Sequence, residues 1–157
     1  MELKYYEDSE FNTNIKSIFL AGPTPRDVNV KSWRNEAIKI LKELNFDGEV
    51  YVPESIDRAV NDDFLTYTGV IDWELERLEN AKLILFWIPR DLETLPGFTT
   101  NVEFGYHLKT GKVVYGRPQN APKTKYLDYI YEKIYNIKPY NSLEDALKHC
   151  INSMKNI

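Results

Sequence analysis

Two glutamates and one arginine are of the right type, and in the right places along the chain, to do chemistry. Glu103 sits in the segment Phe98 to Gly105 (FTTNVEFG), a short turn-rich stretch after a strongly apolar run. Glu74 lies in a helix-like segment that leads into the same run. Arg26 closes Ala21 to Arg26 (AGPTPR), which holds one Gly and two Pro and directly follows another apolar run. Two carboxylates at one cleft suit the cleavage of glycosidic bonds, where one attacks the anomeric carbon and the other manages a proton. Arginine offers a rigid fork to an anionic or hydroxylated group, and glycine lets backbone approach a ligand closely.

Each of these residues also has a plainer reading. Thr100 to Glu103 fits the S/T-x-x-E capping box, in which the glutamate bonds back to the start of its own helix. A carboxylate in a first helical turn is stabilised as an anion by the helix dipole, so one placement suits both a cap and a nucleophile. Glu74 can equally be a solvated helix glutamate paired with Arg77 or Lys82. AGPTPR can be a tight connection and nothing more. His107 and His149 form no catalytic dyad, because His149 and Cys150 are adjacent in a helix and point apart, and both histidines read as structural.

The elements that must position these groups are legible from periodicity. Ser17 to Ala21 (SIFLA) is an apolar strand that ends at Gly22-Pro23. Ser32 is suited to cap a helix whose inner face carries Trp33, Ala37, Leu41 and Leu44. Glu49 to Val52 forms a second strand closed by Pro53, and after an irregular polar stretch Ile71, Leu75, Leu78 and Ala81 mark a second helix. Lys82 to Ile88 (KLILFWI) is the strongest strand signal and suits a strand covered on both faces. A helix from about Thr100 to Lys109, ended by Gly111, leads to a strand at Lys112 to Tyr115. Leu127, Ile130 and Ile134 mark another helix, and Ser142 with Asp145 caps a last one through Leu147 and Ile151. Ile137 to Tyr140 is read as a short edge strand.

This alternation predicts an α/β, flavodoxin-like, doubly wound parallel sheet of about four to five strands with helices on both faces. In sheet order 2-1-3-4-5, ligands bind where the loops after the first and third predicted strands diverge. AGPTPR and the segment from Trp87 to Gly105 are those two loops.

Composition narrows the function classes. The chain has 157 residues, 43% of them hydrophobic, and reads as one domain over residues 1–157. With a net charge of −4 and dispersed Lys and Arg, a nucleic-acid polymer is not an expected partner. No apolar run approaches membrane-spanning length and the N-terminus is acidic and polar, so no membrane partner is expected and the location is read as cytoplasmic. One cysteine and two histidines give neither a disulfide nor metal-ligand spacing, and no metal or other cofactor is expected. The eleven tyrosines suit base stacking or subunit interfaces as well as core positions.

Taken together, IFLAGPTPR, YVPE, WELERLENAK, LILFWIPR and PGFTTNVEFGYHLKTGKVVYGRP resemble the nucleoside 2-deoxyribosyltransferase family in order and spacing from about Ile18 to Pro118. The block Val102 to Val114 is similar to the family's E-[LIF]-G-x-A-x-x-x-G-K segment, which implies that Glu103 is the nucleophile. An acidic residue seven positions before the alanine that ends the preceding helix implies a catalytic role for Glu74, counted from Ala81. The resemblance further implies substrate contacts from Gly22, Pro23, Arg26, Glu54, Trp87, Thr100 and Asn101. The pattern departs at Gly97, where many members have an Asp; Asn101 and Thr100 are the candidates to replace its hydrogen bonds. The implied activity moves 2-deoxyribose between nucleobases through a glycosyl-glutamate, with a nucleoside or nucleotide and a free nucleobase as partners. A hydrolase of nucleosides or their 5′-monophosphates, or a nucleotide-binding module without turnover, are the alternatives. The resemblance also implies a homo-oligomer, with Tyr126 to Tyr135 as a candidate contact.

Overall fold

The computed structural model of the chain describes residues 1–10, 16–56 and 67–155. Five parallel strands, β1 (Glu2–Lys4), β2 (Ser17–Ala21), β3 (Glu49–Tyr51), β4 (Leu83–Trp87) and β5 (Val113–Gly116), form one sheet in the order β1-β3-β2-β4-β5. The helices are α1 (Arg34–Glu43), α2 (Tyr67–Asn80), α3 (Phe98–His107), α4 (Lys125–Tyr135) and α5 (Leu143–Met154). This is the expected doubly wound α/β arrangement of flavodoxin-like type. No helix among the described residues is long and apolar enough to cross a membrane.

Strand alternation explains the two layers. Ile18, Leu20, Leu83, Leu85, Trp87 and Val114 point to one face, where α1 and α5 cover them with Ala37, Leu41, Ala146, Leu147 and Cys150. Phe19, Ile84, Phe86, Val113 and Tyr115 point to the other, under Trp73 and Leu78 of α2, Phe104 of α3, and Leu127 and Tyr131 of α4. Every residue of β2 and of β4 is buried, which is why SIFLA and LILFW carry no polar alternation. The register Ile18↔Leu83 to Ala21↔Phe86 ends both strands at the same level. The loops after them therefore open on one site.

The structure corrects the sequence reading at five places. A parallel edge strand, β1, pairs with β3 through Glu2↔Glu49 and Lys4↔Tyr51; three half-polar residues were too few to show a period. The expected strand at Ile137 to Tyr140 shrinks to one bridge, Gly116↔Tyr140, because Pro139 has no N–H to give a ladder. The residue at the N-cap of α1 is Trp33, although the Ser32 hydroxyl still accepts the Arg34 amide at 3.2 Å. On α2 Leu75 is exposed, and Trp73 and Arg77 are buried in its place. The Arg77 guanidinium lies 4.5 Å over the Trp73 ring and donates to the carbonyls of Asp8, Ser9 and Glu10, so an aromatic-cation pair turns the helix toward the N-terminal segment. The fifth correction, the start of α3, bears on the site. The irregular stretch read between Pro53 and Ile71 falls mostly on residues 57–66, outside the described residues.

Gly22 is where β2 and β4 come closest beyond their ladder. A Cβ there would lie 2.1 Å from the Trp87 carbonyl oxygen and 2.8 Å from the Trp33 ring. Neither obstacle is a flexible side-chain end, so Gly22→Ala must spread the two strands. It is expected to cost about 3 kcal/mol, or roughly 6–12 °C in Tm, in a thermal melt. An unchanged melt would mean that the strand ends separate freely.

Candidate active site

A cleft of about 320 Å³ opens at the carboxyl ends of β2 and β4. Its floor is Phe19 and Ala21, one wall is the loop from Gly22 to Arg26, a second is α2 with Tyr67, Ile71 and Glu74, and a third is Pro96 to Glu103 at the start of α3. Gly22, Pro23, Arg26, Glu74, Thr100 and Glu103 thus meet at one surface, although 81 residues separate the first from the last (103 − 22).

Glu103 is neither a cap nor a first-turn residue. α3 begins at Phe98, with Gly97 at its N-cap in the left-handed conformation (φ 62°, ψ 46°), no side-chain cap and no acidic residue in its first turn. Thr100 is therefore inside the helix and cannot begin a capping box. Glu103 is the sixth helical residue, beyond the turn where the helix dipole is strong. Burial comes first among the influences on its carboxyl and the nearby Glu74 second; together they push it up to about 7, while Arg34 pulls the other way. No hydrogen bond from the described residues contributes, so among them the group faces the cleft uncommitted.

Glu74 differs because it has a partner. The Tyr6 hydroxyl donates to Glu74 Oε1, and Trp73 Nε1 donates to the Asp8 carbonyl at 2.9 Å, tying the segment after β1 onto α2. Burial raises the Glu74 carboxyl above the ordinary glutamate range, and the Tyr6 hydrogen bond and Arg34 partly offset it. Tyr6 is itself held neutral, by burial and then by the Glu74 charge, and so remains a donor. Neither Arg77 nor Lys82 pairs with Glu74: the Arg77 guanidinium reaches Glu76 at 2.5 Å.

Three of the anticipated contact residues stand elsewhere. Trp87 is a core side chain, 6% exposed, whose carbonyl rather than ring abuts Gly22. The Asn101 side-chain oxygen accepts from the buried Arg90, which also donates to the Lys123 carbonyl at 2.8 Å. Glu54 is 5% exposed and lines an adjoining pocket of about 290 Å³ with Tyr6, Arg26 and Pro53. Arg26 borders both pockets, with its guanidinium 5.9 Å over the Phe98 ring. Gly97 holds the position where an Asp was expected; a Cβ there would meet Pro23 Cβ at 3.1 Å in a backbone geometry that disfavours any side chain.

Two lining or supporting residues escaped sequence reasoning. Arg34 shares its helical stripe with Ala37, Ile38 and Leu41, and a cation on an apolar stripe was the available signal. Tyr6 gave none, because its approach to Glu74 depends on β1 and on the Trp73 and Arg77 contacts. Among the described residues no group of three or more His, Cys, Asp or Glu is arranged to hold a metal ion.

The family model described as nucleoside 2-deoxyribosyltransferase like matches residues 15–121. The match runs from the start of β2 to just past β5 and takes in Arg34, Glu74 and Glu103, leaving Tyr6 outside. No curated protein matches the chain.

The raised Glu103 value carries a stability signature. The folded chain binds this proton more tightly than the unfolded one, whose glutamate titrates near 4.5. The resulting stability is complete below that value and drains away as pH climbs through about 7. Glu103→Gln removes the burden of the buried charge. At pH 8 it should be more stable than the parent by about 2 kcal/mol, roughly 5 °C in Tm, with the gap closing toward pH 4. Parallel melts at both pH values would expose an error if the gap were absent or reversed.

Proposed function

Since the chain belongs to the nucleoside 2-deoxyribosyltransferase-like family, we propose that it transfers a 2-deoxyribosyl group between nucleobases through a covalent ester on Glu103. The observation that carries this reading is the pair of carboxylates from α2 and α3 in one cleft, with Glu103 making no hydrogen bond among the described residues and Glu74 held by Tyr6.

In the first half-reaction an ionised Glu103 oxygen attacks C1′ and the C1′–N bond breaks, its electron pair leaving with the base. The departing ring nitrogen must gain a proton. Glu74, whose own carboxyl is pushed upward by burial, is the group that carries it. In the second half-reaction a ring nitrogen of another base attacks C1′, the ester bond breaks and Glu103 leaves as carboxylate. Glu74 then accepts the proton that the incoming base loses. Lacking a 2′-hydroxyl, the sugar reaches an oxocarbenium-like transition state with little assistance beyond these two groups. Gly22, Pro23, Arg26 and Thr100 would line the sugar and base.

A second reading has its own support. The first turn of α3 carries no acidic residue, Arg26 sits beside it over Phe98, and both border the cleft. A 5′-phosphate is compatible with that corner. Water would then resolve the ester, making the enzyme a hydrolase of deoxynucleoside monophosphates.

Incubating thymidine with adenine and following deoxyadenosine by chromatography tests the first reading, and thymidine monophosphate in the same assay tests the second. Exchange supports transfer, and release of deoxyribose 5-phosphate supports hydrolysis. Either activity should rise as Glu103 ionises around pH 7 and fall again once Glu74 no longer holds the proton it must supply, a bell-shaped profile. Either should fall by about 10³-fold in Glu103→Ala with the fold retained. A full-rate Glu103→Ala variant would remove the covalent mechanism.

We also propose that the chain works as a homo-oligomer. Phe98, Val102 and Tyr106 form an exposed line along α3, at 71%, 71% and 78%, and Tyr126 and Tyr129 are exposed on α4. Aromatic surface of this kind suits a partner interface. Light scattering in solution should give a mass above that of one 18.4 kDa chain; a monomer at micromolar concentration excludes the proposal.

A further inference from the structure

Behind the two carboxylates lies a buried ion pair that the reaction as written does not use. Arg34 is 1% exposed, yet it lines the cleft. Each of its three nitrogens donates. Nε donates to the Leu20 carbonyl at 2.9 Å, Nη2 to the Gly22 carbonyl at 2.8 Å, and Nη1 to Thr24 Oγ1 at 3.0 Å and Glu54 Oε1 at 2.7 Å. Glu54 in turn accepts the Ser32 hydroxyl at 2.5 Å. The guanidinium thus grips the end of the β2 backbone and the loop that walls the cleft. Only an arginine presents donors in a rigid plane that can meet these acceptors at once.

A buried ion pair is a poor device for stability, because desolvating both charges offsets most of their attraction. Its placement gives it another consequence. Among the described residues, the charged and titratable groups lining the cleft with Glu103 are Glu74 and Tyr67 from α2, Arg34 from α1 and Arg26 from the loop after β2; Tyr6 reaches Glu74 from behind. Arg26 is exposed, so its field is screened by water. Arg34 is the buried cation of the set, and it acts on both Glu74 and Glu103 in opposition to their mutual repulsion.

We propose that Arg34 and Glu54 are a positioning pair for the transfer: the guanidinium fixes the stretch from Leu20 to Thr24 beside the cleft and supplies a positive field that favours the Glu103 carboxylate, and Glu54 is the counter-charge that limits that field. The proposal rests on reading this cleft as the N-glycosidic site. It assigns Glu54, which the family pattern suggests as a substrate contact, a role exerted through Arg34.

The two partners must move Glu103 in opposite directions, which an ion pair too distant or too screened to act on Glu103 does not do. The first measurement needs no substrate: carbon-13 NMR titration of glutamate-labelled protein, with the Glu103 signal assigned by its loss in Glu103→Gln. Glu54→Gln unmasks the guanidinium and should lower the Glu103 midpoint by about 0.5–1 pH unit. Arg34→Gln should raise it by a similar amount. Arg34→Lys keeps the charge and loses the fork, so its midpoint should stay near that of the parent while kcat/KM for exchange falls at least about 10-fold. If Arg34→Gln does not fold, the near-isosteric Glu54→Gln and Arg34→Lys still decide the matter. A Glu54→Gln midpoint that is unmoved or raised overturns the proposal, as does an Arg34→Lys variant with full kcat/KM. Opposed shifts in a protein that neither exchanges nor releases bases would support the field assigned to Arg34 and sink the proposed reaction. Exchange with superimposable pH profiles for parent and Glu54→Gln would keep the reaction and sink the pair.

Discussion

A guanidinium buried at the carboxyl end of β2 is the contact on which the rest of the site depends. Arg34 enters from the first turn of α1 and donates to the Leu20 and Gly22 carbonyls at the end of β2. It also reaches Glu54, just past β3, so three elements that share no turn are joined at one planar group. Backbone carbonyls cannot be left without donors in a dry interior, and few side chains could supply these from the position Arg34 occupies. The loop so fixed is the wall against which Gly97 and the start of α3 close, with Pro23 close enough to Gly97 to crowd any side chain added there.

On that frame the protein assembles an arrangement that costs stability. Two carboxylates are partly withdrawn from water and set to repel each other, and the buried cation that lines their cleft among the described residues, Arg34, is partly neutralised by Glu54. Tyr6 relieves one carboxylate and leaves the other uncommitted. The asymmetry is chemically useful, because environments that push two titratable groups apart also give them different tasks. It is built from distant pieces. The donor comes from the segment after the edge strand β1, which Trp73 and Arg77 pin to α2. A short edge strand thereby contributes to the cleft as well as to the sheet.

Much of the fold was legible because burial on both sides of a parallel sheet leaves a plain mark on sequence. SIFLA and KLILFWI have no polar interruption, and their positions as neighbouring central strands follow from that and from right-handed crossovers. What escaped was decided by contacts rather than periods. β1 has only three residues, Ile137 to Tyr140 is broken by Pro139, and the buried face of α2 is set by an arginine stacked on Trp73 instead of by Leu75. The start of α3 was misplaced by two residues because Thr100 looks like a cap, whereas the left-handed Gly97 ends the loop earlier. That small shift changes the physics of Glu103 from a dipole-stabilised end residue to a half-buried carboxylate inside a helix.

The amino-acid sequence by itself determined the layer architecture, the two loops that meet at the switch point and the identity of the two glutamates, since apolar runs, turn residues and carboxylates are local properties. Tertiary structure alone decided which groups face the cleft. It sent Trp87 to the core, tied Asn101 to Arg90 and locked Glu54 to Arg34, and it brought Tyr6 to Glu74 across 68 positions of chain. Side-chain direction, desolvation and charge coupling depend on neighbours that are remote in sequence, so the proton affinity of Glu103 emerges only when burial, Glu74 and Arg34 are placed around it.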